Sequence, residues 1–348
     1  MELTVVTIGN SARRDGVLEK ALSGISHSLL SAHDAMESDL RGKRVLFSAA
    51  VGAYGIDAAF AALLEYLNKN TSALDGCVGA VLMDGDGELY TKELSRMLVF
   101  SANNAGCLFL GKALVEATGS LSNFEVLALR GSTDTKAAYE RAAAELVARL
   151  LTFSPPKQKK PNILALHSSV RETSNTLQLG YALMDRLSNR CDTREISLGE
   201  GHIRDCRGCS YTMCRHFAQM DTCFYGSTIF EDVFPAILAC DALLLLCPNY
   251  NDALSANITA FINRLTALLM KNTLYDKAVY AVVVSGYSGG DIVARQVLGS
   301  LCLNKTFYLP PRFSLLITAN DPGAAMRREG VEQRLDGFSE NMLHQLIK

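Results

Sequence analysis

The chain has no basic excess: 34 Lys and Arg face 36 Asp and Glu, leaving a formal charge of −2. Nucleic-acid binders usually carry surplus positive charge, so that class is disfavoured. There is no run of about 18 apolar residues, so no membrane-spanning helix is expected. The opening residues, Met1-Glu2-Leu3-Thr4-Val5-Val6, read directly as a strand, without the basic and apolar regions of a signal peptide. Together these absences predict a cytoplasmic protein. No Ser–His–Asp or Cys–His set suited to nucleophilic catalysis stands out either.

What is present is apolar sequence in a regular rhythm. With 348 residues, 49% of them hydrophobic, the chain can build two domains with separate cores. In the first half, strand-like runs at Leu3–Ile8, Arg44–Ser48, Gly79–Met83 and Phe124–Ala128 alternate with helical patterns. Those patterns cover Gly16–Leu30, Ile56–Leu67, Tyr90–Phe100, Cys107–Glu116 and Thr135–Leu151. Short apolar strands between amphipathic helices predict a parallel sheet covered on both faces. Gly9-Asn10-Ser11-Ala12-Arg13-Arg14 has the form of a phosphate loop, and Ala50–Gly55 allows close backbone approach. Asp84-Gly85-Asp86-Gly87-Glu88 lacks the remaining ligand spacing of a calcium loop and reads as a turn. Residues 1–152 thus read as a Rossmann-like or flavodoxin-like domain, a candidate degenerate copy of the second half.

Residues 153–161 form the boundary. Pro155, Pro156 and Pro161 forbid regular structure, and three lysines keep the segment solvated. From residue 162 to 348 the rhythm restarts, with strands expected at Ile163–Leu166, Arg194–Leu198, Ala242–Cys247, Val279–Ser285 and Phe313–Ile317. The fold class is therefore α/β, two doubly wound parallel-sheet domains of flavodoxin-like type in tandem. In such sheets ligands bind beyond the carboxyl ends of the strands, where the strand order reverses. Three loops should meet there: Ser168–Thr176, Pro248–Asp252 and Ser285–Gly290. The first is rich in hydroxyls and opens a helix, so backbone N–H groups, the helix dipole, Ser and Thr hydroxyls and Arg171 suit a phosphate. The second offers an aromatic ring and amides to a flat polar heterocycle, and the third has glycines that let backbone pass close to a ring face. A phosphate beside a planar polar ring describes flavin mononucleotide.

Residues of about 162–290 resemble the NADPH-dependent FMN reductase family, which includes the iron–sulfur flavoproteins. The family loop G-S-P-R-x-x-S-N-T is matched at Ser169, Arg171, Ser174, Asn175 and Thr176. Its C-x-G-C element is matched by Cys206-Arg207-Gly208-Cys209. Its S-P-x-Y strand end and the helix that follows are matched by Cys247-Pro248-Asn249-Tyr250, Ser255 and Phe261-Ile262-Asn263-Arg264. The chain departs from the pattern at Ser168, Val170 and Asp252, where the family has glycine, proline and a small glycine. The resemblance implies FMN phosphate on Ser169, Arg171, Ser174, Asn175 and Thr176. It implies the isoalloxazine against Pro248, Asn249, Tyr250 and Asn251, and against Ser285, Gly286, Tyr287, Gly289 and Gly290. It implies a homodimer that uses NAD(P)H and passes electrons to a small acceptor (a quinone, a nitro compound or a flavin) or to a redox protein.

The ten cysteines include one cluster, Cys206-x2-Cys209-x4-Cys214-x8-Cys223. In a chain expected to be cytosolic, clustered cysteines suggest metal or redox chemistry before disulfides. Four thiolates would satisfy either zinc or, as the resemblance implies, a 4Fe-4S cluster. They would equally serve as free thiols.

Overall fold

Apolar strands alternate with amphipathic helices to give two all-parallel, five-stranded sheets. The computed structural model describes residues 2–169, 173–199, 203–220 and 222–348. The chain divides into two units. One comprises Met1–Ser154 with Cys302–Asn304 and Tyr308–Arg312; the other comprises Pro155–Leu301, Lys305–Phe307 and Phe313–Lys348.

The first unit runs β1 (Leu3–Ile8), α1 (Ala12–Ala21), β2 (His27–Ser31), α2 (Ala32–Glu37), β3 (Arg44–Val51) and α3 (Ala58–Lys69). It continues with β4 (Val78–Gly85), α4 (Thr91–Asn104), β5 (Leu108–Ala117), α5 (Glu125–Arg130) and α6 (Thr135–Thr152). The second unit begins β6 (Asn162–His167), α7 (Asn175–Leu187), β7 (Asp192–Ser197), α8 (Tyr211–Gln219), α9 (Phe234–Ala239) and β8 (Ala242–Pro248). It ends α10 (Ala256–Leu269), β9 (Ala278–Ser285), α11 (Gly290–Leu298), β10 (Ser314–Thr318) and α12 (Val331–Leu346).

The sheet orders are β2-β1-β3-β4-β5 and β10-β9-β8-β6-β7. Counted within each unit, both are the flavodoxin-like order 2-1-3-4-5, which reverses between the first and third strands. The interior strands β4 and β9 are buried along their whole length. Leu243, Leu244, Leu245 and Leu246 of β8 have no exposure, and each contributes about 1.5–3 kcal/mol by leaving water. Helix starts follow from side-chain caps: Ser11, Asp57, Asp134, Ser174, Ser210 and Ser255 each accept a backbone N–H of the first turn.

Three first-half expectations are corrected. Cys107–Glu116, expected as a helix, contains most of strand β5. Its Leu, Ala, Lys and Glu favour a helix locally, but the segment pairs with β4, with a register shift at Gly79/Val81 that absorbs Lys112 at φ 53°. Phe124–Ala128, expected as a strand, is the end of a 3-10 turn and the start of α5. The helical pattern through Leu30 stops at Ala21, and His27–Ser31 pairs with β1 as an edge strand.

In the second unit α7 lies close against the sheet. Gly180 makes this possible, since a Cβ there would stand 2.4 Å from Leu246 Cδ1. This contact sets the amino end of α7 at the place where the strand order reverses.

Candidate functional site

The site begins where β6 ends. His167 is buried, and its Nε2 lies 2.7 Å from Glu195 Oε1, which also accepts from the Tyr181 hydroxyl at 3.2 Å. These bonds pin the strand end to β7 and α7 before the hydroxyl loop leaves. Ser168 Oγ lies 2.7 Å from Ser255 Oγ, the cap of α10, so the residue standing where the family has glycine gains a partner on the neighbouring helix. Ser169 Oγ lies 3.0 Å from Ser174 Oγ, and Ser174 caps α7 by accepting from Leu177 N at 3.4 Å. The amino end of α7 therefore presents paired hydroxyls together with its free backbone N–H groups. Arg171 lies outside the described residues.

Asn175 plays a different part from the one expected of its side chain. Its Nδ2 donates to Asp321 O at 2.9 Å, and its Oδ1 accepts from Ala325 N at 3.1 Å. The side chain is committed to the loop after β10, leaving only the backbone N–H to face an anion.

The second and third loops lock onto each other through Asn249. Its Nδ2 donates to Ser285 Oγ (3.1 Å), Ser288 O (3.0 Å) and Asp252 Oδ1 (3.2 Å). A carbonyl and a carboxylate can only accept, so the amide orientation is fixed by its partners. Asn249 Oδ1 is then a buried acceptor with no donor among the described residues. Tyr250 and Ala253 exchange backbone hydrogen bonds of 3.2 and 3.1 Å around Asn251 and Asp252, whose φ values are 53° and 58°. Two positive φ angles define the mirror-image turn that Asn and Asp tolerate best. Gly289, at φ +81°, is required by the same packing, because a Cβ there would fall 1.9 Å from Asp252 Oδ1.

These loops enclose a cavity of about 530 Å³. Of the expected residues, Ser174, Asn175, Thr176, Pro248, Asn249, Tyr250, Asn251, Gly286 and Tyr287 line it. Ser285 stands behind it as a partner of Asn249, and Gly289 and Gly290 begin α11. Asp252, Val284, Ser288, Ala319 and Asn320 complete the wall. Ala319 and Asn320 were missed from sequence, although Asn320-Asp321-Pro322 after a predicted strand is a turn signal of the kind that ends a strand at a ligand edge. Tyr250 and Tyr287 are 58% and 84% exposed, so both rings are available at the mouth.

Residues 161–320 match the family model described as NADPH-dependent FMN reductase. The C-terminal half is similar to that family and is an NAD(P)H-dependent FMN oxidoreductase domain. Among solved structures, an NAD(P)H:quinone oxidoreductase from Methanothermobacter marburgensis is 14% identical with a TM-score of 0.43, covering 53% of this chain and 98% of that one. An azoreductase from Bacillus anthracis is 13% identical with a TM-score of 0.37, covering 52% and 95%. RosB with bound 8-demethyl-8-formylriboflavin-5'-phosphate is 15% identical with a TM-score of 0.44, covering 53% and 78%. Likeness this remote carries no chemistry from those proteins to this one. No curated protein matches the sequence.

The reductase domain also gathers Cys206, Cys209, Cys214 and Cys223 around a second cavity, of about 270 Å³, with Phe217, Phe224 and Phe230 in its wall. All four are free thiols. Burial pushes the Cys214 thiol up from its ordinary range, and proximity to Cys206, Cys223 and Cys209 pushes it further. The expected ligand set is not assembled: among the described residues no group of three or more His, Cys, Asp or Glu side chains could hold a metal ion. Cys214 is fixed on α8, whereas its three companions sit on the flanking loops. Buried Arg264 staples this segment to α10 by donating to Arg204 O (2.9 Å), Gly226 O (3.0 Å) and Ser227 Oγ (3.1 Å). Its guanidinium also lies 4.8 Å from the centroid of the Phe230 ring. The Phe-Ile-Asn-Arg motif thus contributes a structural clamp, which its sequence alone did not reveal.

Proposed function

We propose that the reductase domain binds FMN in the 530 Å³ cavity, takes electrons from NADH or NADPH, and delivers them to a small acceptor such as a quinone, a nitro compound or a flavin. The volume falls in the usual range for a cofactor site, about 300–1,000 Å³. The observation that carries the placement is the convergence of the serine-capped start of α7 with the Pro248–Asp252 and Gly286–Ser288 loops on that one cavity.

FMN, when bound, supplies the chemistry of hydride acceptance and electron donation. The protein's residues position it. Ser169, Arg171, Ser174, Thr176 and the first N–H groups of α7 hold the phosphate. Pro248, Asn249, Tyr250 and Asn251 form one wall for the ring, and Gly286 with Gly289 keeps the opposite backbone close. Tyr250 and Tyr287 at the mouth shape what reaches the ring. We place the enzyme in the cytoplasm as a homodimer. Ten free cysteines accord with a reducing compartment, and light scattering tests the assembly. Among the described residues no helix is long and apolar enough to cross a membrane.

The deciding experiment is a visible spectrum of the purified protein, followed by titration with FMN and turnover with NADH and NADPH. Flavin bands and turnover are expected; no flavin uptake even with added FMN would remove the reading. Iron, sulfide and zinc analysis on the same sample tests the alternative, a 4Fe-4S protein exchanging single electrons with a redox partner, for which four thiols lie around one cavity but are not assembled as a ligand set.

A further inference from the structure

Because both sheets have the order 2-1-3-4-5, β1 corresponds to β6, α1 to α7, and β4 to β9. Strands β4 and β9 each have eight residues, and the residue before last is Asp84 in one and Val284 in the other. Val284 lines the cavity of the reductase domain with an apolar side chain. Asp84 does something else. It is 1% exposed, and its carboxylate takes four hydrogen bonds from three side chains. Arg13 grips it with a two-pronged fork, Nε to Oδ2 at 3.0 Å and Nη2 to Oδ1 at 3.1 Å. Ser11 Oγ donates to Oδ1 at 2.9 Å, and the Tyr139 hydroxyl donates to Oδ2 at 3.2 Å.

Ser11 is also the cap of α1, accepting from Arg14 N at 3.2 Å, so the carboxylate is tied directly to that helix start. Arg13 then spans the strand ends, donating to Gly85 O at 2.8 Å and Gly119 O at 2.9 Å. A guanidinium fork, a hydroxyl and a ten-residue helix start are the groups that recruit a phosphate. Here the fork and the hydroxyl that caps the helix converge on an anion that the chain itself supplies.

We infer that Asp84 is an internal stand-in for a ligand phosphate: it closes the anion position of the first domain, and removing its carboxylate opens that position to inorganic phosphate. The domain therefore takes no nucleotide at this edge, and the chain carries one flavin. Only this stoichiometry rests on the FMN reading of the second domain. The phosphate prediction does not depend on it.

The test uses the full-length protein saturated with FMN, so that the phosphate position of the second domain is filled. Inorganic phosphate binding is measured by calorimetry at constant ionic strength for wild type, Asp84→Ala, Asp84→Asn, and Arg13→Ala combined with Asp84→Ala. Asp84→Ala, or Asp84→Asn if the alanine variant does not fold, should bind phosphate at least tenfold more tightly than wild type. The double variant should lose that gain. No gain over wild type in the folded variant overturns the inference, as does a gain that survives loss of Arg13. Wild-type uptake of two FMN per chain overturns it without any variant. A chain that takes up no flavin would remove the FMN reading but leave the phosphate comparison decisive.

Discussion

The two domains begin alike and end in opposite arrangements. Each opens with a buried strand, a hydroxyl-bearing loop and a helix capped by serine, Ser11 in one and Ser174 in the other. In the first domain the loop's polar groups are consumed internally. Arg13 is paired with Asp84, and buried Arg14 donates from Nη1 to Ile8 O, Gly9 O and Ser48 O. In the second, Ser169 and Ser174 pair with each other at the start of α7, and a cavity of about 530 Å³ stands open beside them. A phosphate-loop pattern therefore marks a place in this fold, whereas occupancy is decided by residues far along the chain.

The largest effect that could break this contrast is expected at Asp84. Asp84→Ala strands a guanidinium, and a buried pair that loses one member costs about 3–5 kcal/mol. Because the Arg13 side chain is 27% exposed, the lower end should apply, read as reduced stability in urea unfolding. In the second domain, on the proposed phosphate placement, Arg171→Ala should weaken FMN binding by roughly 1.5–3 kcal/mol, the worth of a charge-assisted contact, measured by fluorescence titration. Unchanged affinity would move the phosphate away from the loop after β6.

Gly289→Ala is smaller. Its φ of +81° and the 1.9 Å approach to Asp252 Oδ1 imply strain of about 1–3 kcal/mol, with FMN affinity falling as the Asn249 bonds loosen. Thermal melting and FMN titration check both effects. The smallest expected effect concerns Cys214. Its raised pKa favours the neutral thiol in the folded state, so the associated stability is present at low pH and fades as pH climbs past the ordinary thiol range. Alkylation followed by mass spectrometry at pH 8 should label exposed Cys206 before Cys214. Arg264→Met should narrow that difference by releasing the clamped segment.

Much of the second domain was legible in its sequence. Apolar runs ending in Ser168, Pro248 and Ser285 located three loops that do meet around one cavity. Side-chain commitments were not legible. Nothing local distinguishes an Asn175 that faces a ligand from one that ties down residues 321–325. The first domain was harder for two reasons. Strand β5 carries helix-favouring residues that pairing with β4 overrides, and edge strand β2 is too short and too exposed to show a clear period. Asp84 read as part of an acidic turn because its partner Arg13 lies 71 residues away, beyond any spacing rule.

The strap formed by Tyr308–Arg312 has a consequence for how the chain is made. It belongs to the first unit, where Leu309 and Phe109 exchange backbone hydrogen bonds of 2.9 and 2.8 Å, and Asn103 Nδ2 donates to Pro310 O at 2.7 Å. Strand β5 is the edge of its sheet, so until the strap arrives that edge keeps unpaired backbone groups. On the ribosome most of the reductase domain emerges before the strap does. The domain whose synthesis starts first thus waits for a segment made near the end of the chain before its sheet edge is covered, and a fragment cut at the proline-rich boundary would leave that edge uncapped.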